Sequence, residues 1–349
     1  MSSINKNEEE KYEINLKKRT EDKSLDLALR PTVFDEYVGQ ESIKNNLKIL
    51  IEASKKRKDP IEHLLFYGPA GLGKTTLAYL IAKEMGTQIR VTSGPAIEKV
   101  GDLASILTNL SPGEILFIDE AHRLNKLIEE ILYPAMENRS LDIIIGKGPS
   151  ARAIQLELPP FSIIAATTRI ALLSSPLRSR FSGGLFRLDF YKEEDIEKII
   201  ERSAQILGVP IEKEAIPIIA SRARFTPRIA NRFLKRARDY ADVHSNGTIN
   251  ANLAKKALEL MEIDEMGLDS LDRKVIDAVI NKFSGGPVGL GTIAASVHEE
   301  EDTIEDISEP YLMQLGFLER RPRGRCATLR AYKHLGLTPP KNEEQQKLI

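Results

Sequence analysis

At 349 residues, with 42% apolar residues, 29% charged residues and a formal net charge of −1, the chain is long enough for two or three globular domains. That balance does not forecast nucleic-acid binding, so any such reading must rest on local charge. No apolar run reaches the roughly 18 residues of a membrane span, and the lone cysteine, Cys326, excludes a disulfide framework and suits a reducing cytosol.

Residues 1–24 are rich in Lys, Glu, Asn and Asp, lack apolar periodicity and read as a disordered charged tail. From 25 to 190, strands and helices alternate, with candidate strands at His63–Tyr67, Gln88–Thr92, Glu114–Ile118, Ser162–Ala166 and Leu185–Phe190. Apolar runs such as Ile115-Leu116-Phe117-Ile118 suit strands buried on both faces of a parallel sheet, hence an α/β fold. Leu141–Gly146 and Ala153–Leu158 flank a Gly/Pro/Ser/Ala centre instead. They read as a long β-hairpin with Ile154 and Leu156 on one face.

Residues 191–265 read as a small helical domain. Ile196, Ile199, Ile200 and Ala204 form one apolar stripe, and Thr226-Pro227 opens another helix by N-cap logic. In 266–340, helices at Leu271–Phe283, Thr292–Val297 and Thr303–Leu315 precede two short strands around Pro322-Arg323-Gly324, the order of a winged helix. The third helix is expected to start on a capping box of Thr303 and Asp306, with Ile304, Ile307, Tyr311 and Leu315 inside. Residues 341–349 form a second tail.

The chemistry starts at Gly68-Pro69-Ala70-Gly71-Leu72-Gly73-Lys74-Thr75-Thr76, a complete P-loop between a strand and a helix. Glycines let successive N–H groups point inward as a nest for a polyphosphate, and the helix N-terminus adds its positive dipole end. Lys74 would reach the β/γ-phosphates of ATP, and the Thr75 hydroxyl would hold Mg2+. Some 45 residues on, Leu116-Phe117-Ile118 ends in Asp119-Glu120, a metal-supporting acid and a water-aligning one. Thr168 ends a further strand at the ligand-facing edge of the sheet, or simply begins a turn. Arg178 and Arg180 lie two apart on one short helix and cannot share a face, so at most one is an arginine finger. Arg228, at a helix start, could swing over the nucleotide from the smaller domain.

Together these residues resemble the RuvB family, the AAA+ ATPases that drive branch migration of bacterial Holliday junctions. The resemblance also rests on Tyr37-Val38-Gly39-Gln40, Thr92–Pro95, Leu132–Glu137, Thr226–Arg232, Gly285–Leu290 and Glu309–Leu312, and spans Leu29 to Pro340. It implies an AAA+ P-loop domain, a helical lid and a winged helix. It further implies a homohexameric ring on the duplex arms of a four-way junction, acting in recombination and repair with a RuvA-type junction-binding protein and a RuvC-type resolvase. By the same resemblance Arg180 is the finger in trans, Thr168 is sensor 1 and Arg228 is sensor 2. Leu29, Arg30, Tyr37, Val38 and Tyr191 surround the adenine, while Gly71, Gly73 and Thr76 join Lys74 and Thr75 at the phosphates. Glu137, Asn138 and Arg139 approach a neighbour's nucleotide, and Ile154 and Leu156 receive the junction-binding partner.

Two departures stand out. Phe225 replaces the family's Gly before Thr226, a strained choice if φ is positive, and Glu301 replaces an Arg that contacts DNA. Glu299 to Glu309 holds seven acids and no base, whereas Arg320, Arg323 and Arg325 crowd the wing. DNA is therefore expected on the hairpin and not on a recognition helix. Two rivals stand beside the motor reading: a protein-remodelling AAA+ ATPase, which needs an aromatic pore loop and no basic wing, and a nucleotide-switched DNA-binding module with little turnover.

Overall fold

The computed structural model describes residues 27–145 and 152–339. The two expected tails and the centre of the Leu141–Leu158 hairpin lie outside the described residues. Five parallel strands form the main sheet: β1 (Leu64–Tyr67), β2 (Ile89–Ser93), β3 (Ile115–Asp119), β6 (Ser162–Thr167) and β7 (Gly184–Arg187), in spatial order 2-3-6-1-7. Leu64, Leu65 and Phe66 of β1 are fully buried, as a strand covered on both faces requires. The last strand ends at Arg187, earlier than its apolar run suggested: the Leu188 N–H still donates to Tyr67 O at 2.8 Å, but β1 ends at Tyr67 and leaves residues 189–190 nothing to pair with there. β4 (Ser140–Ile145) and β5 (Arg152–Glu157) make the expected antiparallel hairpin, with Ile143 opposite Ile154.

Helices α1 (Glu41–Arg57), α2 (Lys74–Met85), α3 (Val100–Thr108) and α4 (Lys126–Asn138) flank the sheet, and α5 (Ser175–Ser179) is a short turn of helix. The lid follows as α6 (Glu193–Leu207), α7 (Ala215–Arg222), α8 (Pro227–His244) and α9 (Ala251–Glu259). Ile196, Ile200 and Ala204 of α6 are buried as their spacing predicted. The sheet face around Leu64 and Phe66 and the lid around Phe233 and Leu234 share one continuous core.

A separate core around Leu268, Ile276 and Leu312 holds the winged helix. Its helices are α10 (Ser270–Asp277), prolonged by a π turn, and α11 (Leu290–Val297). The third consists of α12 (Glu301–Thr303), a π turn over Ile304–Ser308 and α13 (Glu309–Gln314). Strands β8 (Leu318–Arg321) and β9 (Gly324–Ala327) form the wing.

The capping box at Thr303 does not form. Glu300 starts the helix, and Thr303 already has helical angles. Ile307, expected inside, is 56% exposed, because the wide π turn rotates it outward and Ser308 takes the buried position. Thr226 precedes α8 as predicted, but its hydroxyl bonds Ala223 O at 3.3 Å instead of capping the helix.

Candidate nucleotide site

The turn from β1 into α2 carries the phosphate loop. Gly71 and Gly73 have φ of +81° and +99°. A Cβ on Gly73 would meet the Tyr37 hydroxyl at 2.6 Å, and one on Gly71 would press on Arg228 Cβ at 3.1 Å. These glycines therefore allow both a left-handed backbone and the close approach of two walls. Lys74 is buried and donates to Gly68 O at 2.7 Å and Pro69 O at 2.8 Å. Burial lowers its pKa to about 8, against the pull of Asp119 and Glu120.

Two tyrosines close the floor. Tyr37 and Tyr191 both donate to Leu72 O at 3.2 Å, which ties the segment before α1 and the start of the lid to the same loop carbonyl. Burial pushes the Tyr191 hydroxyl up to about 12 and raises the Tyr37 hydroxyl well above its ordinary value, so both remain neutral donors. A cleft of about 450 Å³ opens here, lined by Leu29, Arg30, Tyr37, Val38 and Tyr191 at one end and by Gly71, Gly73, Lys74, Thr75 and Thr76 at the other. The guanidinium of Arg30 sits 5.5 Å from the Tyr79 ring centre.

At the sheet edge, Thr75 Oγ1 lies 3.5 Å from Asp119 Oδ2, and Asp119 Oδ1 accepts the Glu120 N–H at 2.9 Å. Glu120 has φ +49°, a left-handed turn that redirects its carboxylate away from the strand axis. Its Oε2 lies 3.3 Å from His122 Nδ1, which is also 3.0 Å from Thr167 Oγ1. Burial lowers the His122 pKa. Thr168 follows β6 in a half-buried bend, with no side-chain hydrogen bond among the described residues, whereas its neighbour Thr167 is buried and engaged.

From the lid, Pro227 and Arg228 begin α8 and line the same cleft, as do Asn231, Arg232 and Lys235. The sequence reading missed the last three. Their signal was legible, since positions 228, 231/232 and 235 fall on one helical face. Arg202, which donates to Glu36 Oε2 at 2.8 Å, was also missed and lacked any local motif.

Other residues do not join the cleft. Arg180 caps α5, contacts Glu137 at 3.2 Å and Pro176 O at 2.7 Å, and lies over the Tyr133 ring at 4.2 Å. Arg180 and Glu137 thus pair on a surface apart from their own nucleotide site, with Asn138 and Arg139 beside Glu137 at the end of α4. On the hairpin, Ile154 is 43% exposed, but Leu156 is half-buried against the core around Leu141 and Leu158, so the two do not form one open apolar face.

The arginines of the wing are not all free. Arg320 reaches Glu305 at 3.1 Å and Glu309 at 3.3 Å, and Arg325 reaches the same buried Glu309 at 3.0 Å. Helix acids and wing arginines therefore neutralise each other, and only Arg323 of the three is exposed without an ion pair among the described residues. Phe225 does have positive φ, +54°, next to Arg224 at +52°.

A P-loop at the end of an inner strand of a parallel sheet, a helical lid over it and a winged helix beyond define a P-loop ATPase of the AAA+ class. The model of the Holliday junction DNA helicase RuvB P-loop domain matches residues 29–187, that of the RuvB AAA lid domain 191–264, and that of the RuvB C-terminal winged helix domain 265–336. The Holliday junction branch migration complex subunit RuvB of Dehalococcoides mccartyi (strain CBDB1) is 57% identical over 325 residues, 93% of each chain. The solved Thermotoga maritima RuvB Holliday junction branch migration motor is 48% identical, with a TM-score of 0.82 over 90% of this chain and 100% of that one. A point mutant of that protein gives 0.83, over 89% and 99%. The chain belongs to the RuvB family, and its cleft is a nucleotide site.

Proposed function

We propose that this protein hydrolyses ATP between subunits of a homohexamer and uses the energy to drive branch migration of Holliday junctions. The observation that supports it best is the division of the catalytic set. Lys74, Thr75 and Arg228 line one cleft, Asp119 meets Thr75 at its edge with Glu120 beside it, and Arg180 and Glu137 lie together outside it. With Arg180 held away from the cleft of its own chain, that arginine is supplied to each site by a neighbour.

In this reading Lys74 leaves the carbonyls of Gly68 and Pro69 for the β/γ-phosphates, where its charge offsets theirs. Thr75 and Asp119 are an alcohol and a carboxylate within reach of one ion. That donor pair suits Mg2+, which takes few protein ligands and would neutralise charge between the phosphates. Glu120 aligns the attacking water and accepts its proton, and Thr168 meets the γ-phosphate end. Arg180 of the neighbouring subunit stabilises the transferring phosphoryl group, a contribution of about 10³–10⁵ in rate. Arg228 senses nucleotide from the lid, so that hydrolysis changes the angle between lid and sheet.

The wing touches the backbone of the duplex arms, with Arg323 first and Arg320 and Arg325 after release from their acids. Ile154 on the hairpin meets the RuvA-type protein, and a RuvC-type resolvase acts on the same junction. No helix among the described residues is long and apolar enough to cross a membrane, and we assign the protein to the cytoplasm. The test is processing of a four-way junction by purified protein with its junction-binding partner, ATP and Mg2+. Absence of migration under any ATP condition would defeat the motor reading. Steady-state ATPase with and without DNA separates it from a nucleotide-switched binding module.

A further inference from the structure

One ion-pair cluster crosses between the ATPase domain and the winged helix without using a residue already given a role in hydrolysis. Arg169 follows Thr168 at the end of β6. Its backbone N–H donates to Thr167 Oγ1 at 3.0 Å, so its position is fixed by the hydroxyl that also meets His122. Its side chain, only 22% exposed, donates from Nε to Asp306 at 2.8 Å, and its Nη2 lies 3.1 Å from Asp302 and 3.5 Å from Glu305. The hydrogen bond with Asp306, aided by Asp302, holds the guanidinium yet more firmly protonated than usual.

Three acids of the third winged-helix segment thus converge on one arginine of the ATPase domain. Glu305 is the branch point. Its Oε2 faces Arg169, and its Oε1 accepts from Arg320 of the wing at 3.1 Å. The chain of contacts then runs from Glu120 through His122, Thr167, Arg169 and Glu305 to Arg320.

We infer that Arg169 is a positioning residue that couples the hydrolysis site to the DNA-binding wing, with Glu305 as the carboxylate shared between them. This rests on the proposed motor function. A DNA phosphate that takes Arg320 releases Glu305 toward Arg169. The stronger pull acts on the segment that carries Thr167 and Thr168. Charges at this spacing exchange partners readily, because each pair is partly solvated and no single contact is strong. The acidic stretch, unsuited to DNA, is in this view the wing's counterweight.

The test uses full-length Glu305→Gln and Asp302→Asn/Asp306→Asn proteins beside the wild type. ATPase rates are measured across ATP concentrations with and without duplex DNA. DNA affinity is measured with a non-hydrolysable ATP analogue and with ADP. Basal kcat and ATP KM stay at wild-type values, while the DNA-dependent rise in kcat falls about fivefold or more, the scale of an ordinary coupling. The ratio of DNA affinities between the two nucleotides falls toward one. Glu305→Gln has a signature of its own: it binds duplex more tightly, since Arg320 loses one of its two carboxylate partners and keeps only Glu309, yet is stimulated less. Wild-type stimulation in both variants overturns the coupling, as does a change confined to KM, which an interdomain brace alone would give. A wild-type ATPase indifferent to DNA overturns the motor reading itself.

Discussion

The nucleotide cleft and the wing are both built around basic side chains, yet they treat them in opposite ways. In the cleft, Lys74 is buried, has a lowered pKa and is held only by neutral carbonyls, so it is poised for an incoming anion. On the wing, Arg320 and Arg325 already have carboxylate partners, one of which, Glu309, is buried. The first site stores unmet electrostatic demand, and the second has it largely met. A ligand entering the cleft gains from groups that are otherwise poorly solvated. DNA arriving at the wing must displace existing ion pairs. That difference suits a nucleotide held through each turnover and a track that is released repeatedly.

The largest test of this contrast is Arg180→Ala, which should slow hydrolysis by about 10³-fold or more while ATP binding persists. Mixing it with Lys74→Ala subunits should restore part of the rate, and a mixture as inactive as either parent would place the arginine in cis. Next is Lys74→Met, which should abolish nucleotide binding yet stabilise the nucleotide-free protein. Burial has lowered this ammonium from 10.5 to about 8, a penalty on the order of 3 kcal/mol. The unfolded chain binds the extra proton, so the penalty is complete below pH 8 and fades as pH rises from 8 toward 10.5. A melting-temperature gap between variant and wild type that does not narrow over that window would disprove it.

On the wing, Arg323→Ala should weaken duplex binding and reduce the slope of log affinity against log salt by about one, the loss of one phosphate contact. Arg320→Ala should change that slope less, because its charge is already compensated. Equal slopes for the two would erase the distinction between free and paired arginines. The smallest effect is expected at Phe225→Gly. Relief of its left-handed backbone offsets about 1 kcal/mol, but lost packing against Phe190 and Tyr311 costs about 2, for a net fall of about 1 kcal/mol. A rise in thermal stability would mean that backbone strain dominates.

What the sequence made legible follows the same divide. Gly71, Gly73, Lys74, Thr75, Asp119 and Arg228 could all be singled out from the sequence, because a short spacing, a strand end or a helix start marks each of them. The helical face of Asn231, Arg232 and Lys235 was equally available to a periodicity argument. Arg202 was not, since its partner Glu36 lies 166 residues away and no local pattern links them. The pairing of the wing arginines was out of reach for the same reason. Counting arginines on a hairpin cannot reveal that Glu305 and Glu309, on a separate helix, turn toward them. Ile307 failed for a local cause, a π turn that shifts the phase of the apolar stripe by a fraction of a turn.

The paired left-handed residues before α8 bear on how this protein can be taken apart. Arg224 is buried beneath Asp269 and Asp272, at 2.7 and 2.6 Å, and lies over the ring of Tyr311, all from the C-terminal domain. Phe225 O accepts the N–H of Tyr191, in the adenine end of the cleft, and Pro227-Arg228 follow directly. A chain truncated after residue 265 would lose all three of the braces on Arg224. It would not be an isolated ATPase awaiting its DNA-binding module, but an ATPase with its sensor helix unmoored. Dissection by deletion would then mistake a loss of scaffolding for a loss of DNA signal, and point substitution is the sounder scalpel.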